Sequence, residues 1–262
     1  MNSPNLWNQL LVWPIVNVLM AFYKLFTWLH VPGPLGFAVL ALTVLIRVLL
    51  YPLMHAQLRS ARKMQKLKPH LDALNVKHKG DKQALQQAQL ALYKEHGINP
   101  AAGCLPMLIQ MPVLFALYSV FFQVLGSANV AKMTEEVNQV MYASFLKIHT
   151  LDLSFFGMNL GVKPNQWQHY GWWLLSIPVI TAALQWWQSK LMIPSAEKKP
   201  PADAKALAGK EDTALEMQKQ MAMITPLMFG VFAYQFPVGL ALYWNVFSLF
   251  GIMQQISINK ET

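Results

Sequence analysis

The sequence predicts an all-α membrane protein, and three features carry that prediction. Apolar runs are long enough to cross a bilayer, charge is scarce, and the charge present collects in particular loops. Hydrophobic residues make up 55% of the chain and charged residues 13%, against about 25% charged in an ordinary soluble domain. Mean hydropathy is +0.30. Those values exclude the soluble classes. Net charge is +9, and its placement says more than its sum, because short basic loops stay on the cytoplasmic side. The single cysteine, Cys104, allows no intramolecular disulfide and reads as a small packing residue.

The defining stretch is Leu35 to Met54, LGFAVLALTVLIRVLLYPLM. At about 1.5 Å per helical residue it covers roughly 30 Å, the thickness of a hydrocarbon core. Arg47 interrupts it, with Thr43 one turn earlier. A guanidinium at a helix centre costs about 2.5–3.5 kcal/mol on insertion scales. Loss of the proton offers no escape, since the pKa of arginine stays above about 12. Snorkelling past Val48 to Met54 would have to cover about 10 Å of helix, more than the side chain reaches. Arg47 is therefore read as calling for a polar cavity or an anionic partner, with snorkelling as the competing reading.

Ahead of this span, residues 6–29 are apolar and Trp-rich, interrupted by Pro14 and dotted with Asn8, Gln9, Asn17 and Lys24. Residues 1–34 are predicted as an N-terminal amphipathic helix lying in the interface, with an additional span as the competing reading. No cleavable signal peptide is expected, because no basic residue precedes Lys24. After the span, residues 55–103 hold Arg59, Arg62, Lys63, Lys66, Lys68, Lys77, Lys79, Lys82 and Lys94 against Asp72, Asp81 and Glu95. That excess marks the cytoplasmic side. Met64, Leu67, Leu71 and Leu74, then Leu85, Ala88 and Leu92, recur at helical steps. With a turn at Lys79-Gly80-Asp81 they predict an antiparallel helical hairpin. Arg59, Arg62, Lys63 and Lys66 share its membrane-proximal face, a surface for anionic lipid or an acidic partner such as ribosomal RNA.

Residues 105–126 form a second span, with Gln110 offering donor and acceptor to a wet interior and Pro112 freeing a backbone carbonyl. The charge-balanced stretch 127–168 is expected outside, and His149 with Asp152 lacks a third metal ligand. A third span covers about 169–189, rich in tryptophan. Residues 190–220, with six lysines against five acids, read as a linker. Two last spans, 221–236 and 238–256, meet at Phe236-Pro237. Residues 35–262 thus form a five-helix core with the N-terminus out and the C-terminus in. There is no Walker-type loop, no Ser-His or paired-Asp set inside a span, and no internal repeat. Neither an enzyme nor a cofactor is expected.

Several strings together resemble the YidC family of membrane protein insertases, which includes the mitochondrial Oxa and chloroplast Alb proteins. They are TVLIRVLLYPL (43–53), Lys63-Met64 with Lys68-Pro69, NPAAGCLPMLIQMPVLFALY (99–118), and FPVGLALYW (236–244) followed by Gln254-Gln255. The large periplasmic domain of some members has no counterpart in the sequence, so a short bacterial form is expected. The resemblance implies five transmembrane helices around a hydrophilic groove open to the cytoplasm and lipid and sealed on the outer side. Arg47 matches the groove arginine; Thr43 and Gln110 match groove-lining positions, and Trp244 falls in a matching motif. The third span departs most from the family pattern. Implied partners are nascent membrane proteins, with the ribosome, the Sec translocon and anionic lipids alongside, and no DNA. The implied location is the bacterial plasma membrane. A small-anion channel or transporter using Arg47 as its binding site is the alternative.

Overall fold

A computed structural model describes residues 4–78, 80–97, 111–119, 121, 130–192 and 213–260. The described residues are predominantly helical, as the apolar runs require. A turn of π-helix, Asn8–Val12, leads into α1, Trp13–Trp28. Pro14 does not break this helix. Proline lacks an N–H and crowds the carbonyl of the preceding turn, and the chain takes the wider π geometry just before it. Val12, Val16, Leu19, Met20 and Tyr23 form the buried face of α1, with Asn8 and Asn17 turned inward beside them. Leu10, Leu25 and Trp28 are exposed. Asn17 serves internal hydrogen bonds, and much of the outward surface of α1 is apolar. Asn8–Trp28 and Pro34–Ala56 are the two described stretches long and apolar enough to cross a membrane.

His30, at φ 55°, and Gly33, at φ 74°, turn the chain into α2, Pro34–Lys66. Its 33 residues run about 50 Å. The helix continues through Pro52 and past the predicted boundary at Met54, because hydropathy marks where the membrane ends and not where helical propensity ends. The basic hairpin therefore springs from the end of α2 and consists of α3, Lys68–Lys77, and α4, Lys82–Glu95. Asp81 caps α4, accepting from the Gln83 and Ala84 amides at 3.1 and 3.0 Å. A Gln89-to-Asn75 hydrogen bond of 3.3 Å ties the two helices. Helix α5 spans residues 111–119 of the second predicted span; residues 105–110 and 122–126 lie outside the described residues.

A cap follows. It comprises α6, Val130–Gln139, a two-stranded hairpin of β1, Ser154–Phe155, and β2, Met158–Asn159, and the short helix α7, Trp167–Tyr170. Two sets of hydrogen bonds and one packing contact fasten the cap to the helices. The Asn17 amide donates to the Val140 carbonyl and accepts from the Tyr142 N–H. The Tyr23 hydroxyl donates to Thr150 and accepts from Asp152. Phe155 packs so closely on Gly33 and Gly36 that a Cβ on Gly36 would overlap its ring.

The third predicted span is shorter than its apolar run. Gly171, at φ 109°, breaks the chain, a 3-10 turn covers Trp172–Leu175, and α8 is Ser176–Met192. The last two helices are longer than their apolar cores: α9 is Thr213–Gln235 and α10 is Val238–Lys260. The predicted tight turn joins them. Its Val238 and Gly239 amides donate to the cap carbonyls of Val162 and Leu160 at 2.9 and 2.8 Å. Helix α8 packs against both α9 and α10, and α10 packs against α2.

Candidate functional site

Arg47 lies where α2, α8 and α10 converge. Only 6% of its surface is exposed. The guanidinium carbon stands 3.5 Å from the centroid of the Phe247 ring, a cation–π placement. Its Nη2 donates to the Phe247 carbonyl. Nε and Nη1 have no hydrogen-bond partner among the described residues. A guanidinium carries five N–H donors and no acceptor, so most of this donor fork is buried and unused by the described residues. One helical turn beyond Phe247, Gly251 provides the space. A Cβ there would stand 2.5 Å from the Gln188 side-chain nitrogen on α8 and 3.0 Å from Nη2 of Arg47.

The expected groove residues have mixed placements. Thr43 is fully buried, and its hydroxyl donates to the Val39 carbonyl at 2.7 Å, the back-bonding habitual for threonine inside a helix. Trp244 is 3% exposed and belongs to an aromatic cluster with Phe229, Phe232 and Phe236, at centroid distances of 5.2, 6.3 and 5.9 Å. Its ring packs on α9 and on Phe236. Gln110 lies outside the described residues. Lys63 and Lys66 are exposed at the end of α2; the side chains of Arg59 and Arg62 lie outside the described residues. Arg47 itself is enclosed, so the described helices leave it no wide opening.

Sequence reasoning missed the polar side of α10. Asn245 and Ser248 carry buried oxygens without a hydrogen-bond partner among the described residues, and Gln255 is buried on the same face. Their steps of three and seven residues were the available signal. Gln188 was missed as well, hidden between the tryptophans of α8 and its end.

Helices around a buried cation, closed at one end by a cap, define an all-α membrane protein with a polar seam between apolar helices. The model of the family described as 60Kd inner membrane protein matches residues 13–262. The chain belongs to that family. Membrane protein insertase MisCA of Bacillus subtilis is 31% identical over 264 residues, 98% of this chain and 80% of that protein. Membrane protein insertase YidC of Helicobacter pylori is 31% identical over 228 residues, 87% of this chain and 33% of that protein. The chain thus spans about a third of the length of that relative. The structure described as active YidC insertase with the first transmembrane domain resolved matches with TM-score 0.54 and 25% identity, over 98% of this chain and 47% of that one.

Proposed function

We propose that this chain is a non-enzymatic insertase and folding helper for membrane proteins, working in the bacterial inner membrane. The observation that carries the reading is the enclosed Arg47 guanidinium, whose Nε and Nη1 have no partner among the described residues. A guanidinium so enclosed is shielded from bulk water. An acidic or polar group on an incoming chain that reaches it gains hydrogen bonds that the described residues do not fill. The seam between α2, α8 and α10 is the proposed groove, with Gln110 contributing from the second span. Because Arg47 is enclosed at rest, Phe247 must swing aside, or α2 and α10 part, for a substrate to reach it. The polar segment of a substrate then crosses less hydrocarbon, which matters where each charge costs about 2.5–3.5 kcal/mol. Partition of the substrate's apolar helix supplies the driving force, since no nucleotide motif is present in the sequence.

Five spans, with the N-terminus out and the C-terminus in, are proposed as the topology. Residues 1–34 are proposed to lie along the outer interface, since Asn17 and Tyr23 tie α1 to the cap. The exposed Lys63 and Lys66, with Arg59 and Arg62, are proposed to face anionic lipid, and the hairpin to receive the ribosome or the Sec translocon. Reconstitution into liposomes tests the function. Helix insertion without anion flux is the expected result. Anion flux without insertion would instead make Arg47 the binding site of a small-anion channel.

A further inference from the structure

The proposed groove leaves the tip of the cap hairpin without a role. Ser154 pairs with Asn159 and Phe155 with Met158, so the loop is the two residues Phe156 and Gly157. Both have positive φ, 47° and 79°. Such a loop favours asparagine followed by glycine. Gly157 fits; Phe156 does not, since a bulky side chain in the left-handed region is a conformation held against its preference. The ring held in this way is 75% exposed. Neither property suits a turn facing water.

The surroundings of the ring supply a reason. Its centroid lies 4.7 Å from that of Phe155 and 6.0 Å from that of Phe37. Phe155 is the inward anchor of the hairpin, seated on Gly33 and Gly36. Phe37 heads one face of α2 that continues at steps of seven, four and three residues through Val44, Val48 and Tyr51. Those three are 38%, 63% and 52% exposed. Thr43 and Arg47 lie beside this stripe on the buried flank of α2, 0% and 6% exposed. In a helix long and apolar enough to cross a bilayer, an exposed apolar stripe of this kind meets acyl chains. Phe156 extends that stripe at its cap end.

We infer that Phe156 is a lipid anchor, its ring inserted among the acyl chains of the leaflet on the cap side. The inference rests on α2 spanning the membrane. Phenylalanine has no polar handle to keep at the headgroups, unlike tyrosine or tryptophan, so it suits the region just beneath them. The exposed Asp152 and Asn159 on the rest of the hairpin suit the headgroup layer. Through Phe155 and Phe37 the anchor holds the cap at a fixed height on α2.

The test uses the full chain with Cys104→Ser and a single nitroxide-labelled cysteine, placed by Phe156→Cys, Asn159→Cys or Val48→Cys. Each protein is reconstituted into vesicles of phosphatidylcholine and phosphatidylglycerol. Collision of the label with oxygen and with a water-soluble nickel chelate is then measured. The expected result is that position 156 resembles 48, rich in oxygen and several-fold less accessible to nickel than 159. Nickel access at 156 equal to that at 159, with 48 still shielded, would overturn the anchor and leave α2 spanning. Nickel access at 48 as well would overturn the spanning of α2 and the anchor with it. Shielding of 156 from both reagents would mean that protein covers the tip, and would also overturn the proposal.

Discussion

Arg47 sets two demands that pull in opposite directions. For stability the guanidinium is a liability, because two of its nitrogens are buried without partners among the described residues. For the proposed insertion it is the group that a substrate's acidic residue meets. Arg47→Met therefore separates the two. It should raise the melting temperature in detergent by the equivalent of about 1–3 kcal/mol, the cost of one buried donor left unpaired. The same variant should insert substrates with charged outer tails poorly in liposomes, as should Arg47→Ala. Arg47→Lys keeps a cation over the Phe247 ring and should largely retain insertion. Equal insertion by Arg47→Ala and the parent would remove Arg47 from the mechanism. Gly251 offers a second handle. The atoms that a Cβ there would crowd are the far ends of two flexible side chains, Gln188 and Arg47. Gly251→Ala should therefore move the melting temperature little and the insertion rate more.

At the scale of the element, the sequence was most legible where one residue violated the rule of its surroundings. A charge inside an apolar run announces itself, and so Arg47 stood out. Asn245 and Ser248 did not, because a lone polar residue on a span more often bridges helices, and only the packing of α10 shows that their oxygens have no partner among the described residues. Helix ends lie beyond the apolar runs for a related reason. Hydropathy falls at Met54 and before Met221, whereas α2 runs on to Lys66 and α9 starts at Thr213, since lysine, glutamine and alanine are good helix formers in water. Asn17 looked like scattered polarity, yet it joins α1 to positions 123 and 125 residues away. No local pattern encodes such a bond. Asn17→Leu keeps the helix and strands the Val140 carbonyl and the Tyr142 amide. Thermal denaturation in detergent should show a loss of about 1–3 kcal/mol for a buried group left unpaired, with the cap becoming the first region to exchange its amides.

Across the whole molecule, the two ends are built to different standards of attachment. The cap is bonded to α1 through Asn17 and Tyr23 and to the α9–α10 turn through Leu160 and Val162. It also packs on α2 through Phe155. At the opposite end, α3 and α4 pack chiefly on each other, with only a slight junction to α2. Little apolar surface would be lost from the helical core if they were removed, so the hairpin is energetically separable from it. Deleting residues 68–95 and joining the ends with a short Gly-Ser linker should leave the protease-protected fragments of the spans unchanged. Insertion should then fall most for substrates delivered as nascent chains on ribosomes, and least for short substrates that partition unaided. A uniform loss across both kinds of substrate would place the hairpin inside the insertion step. Loss of the protected fragments would show that it holds the helices together, which its sparse contacts with them argue against.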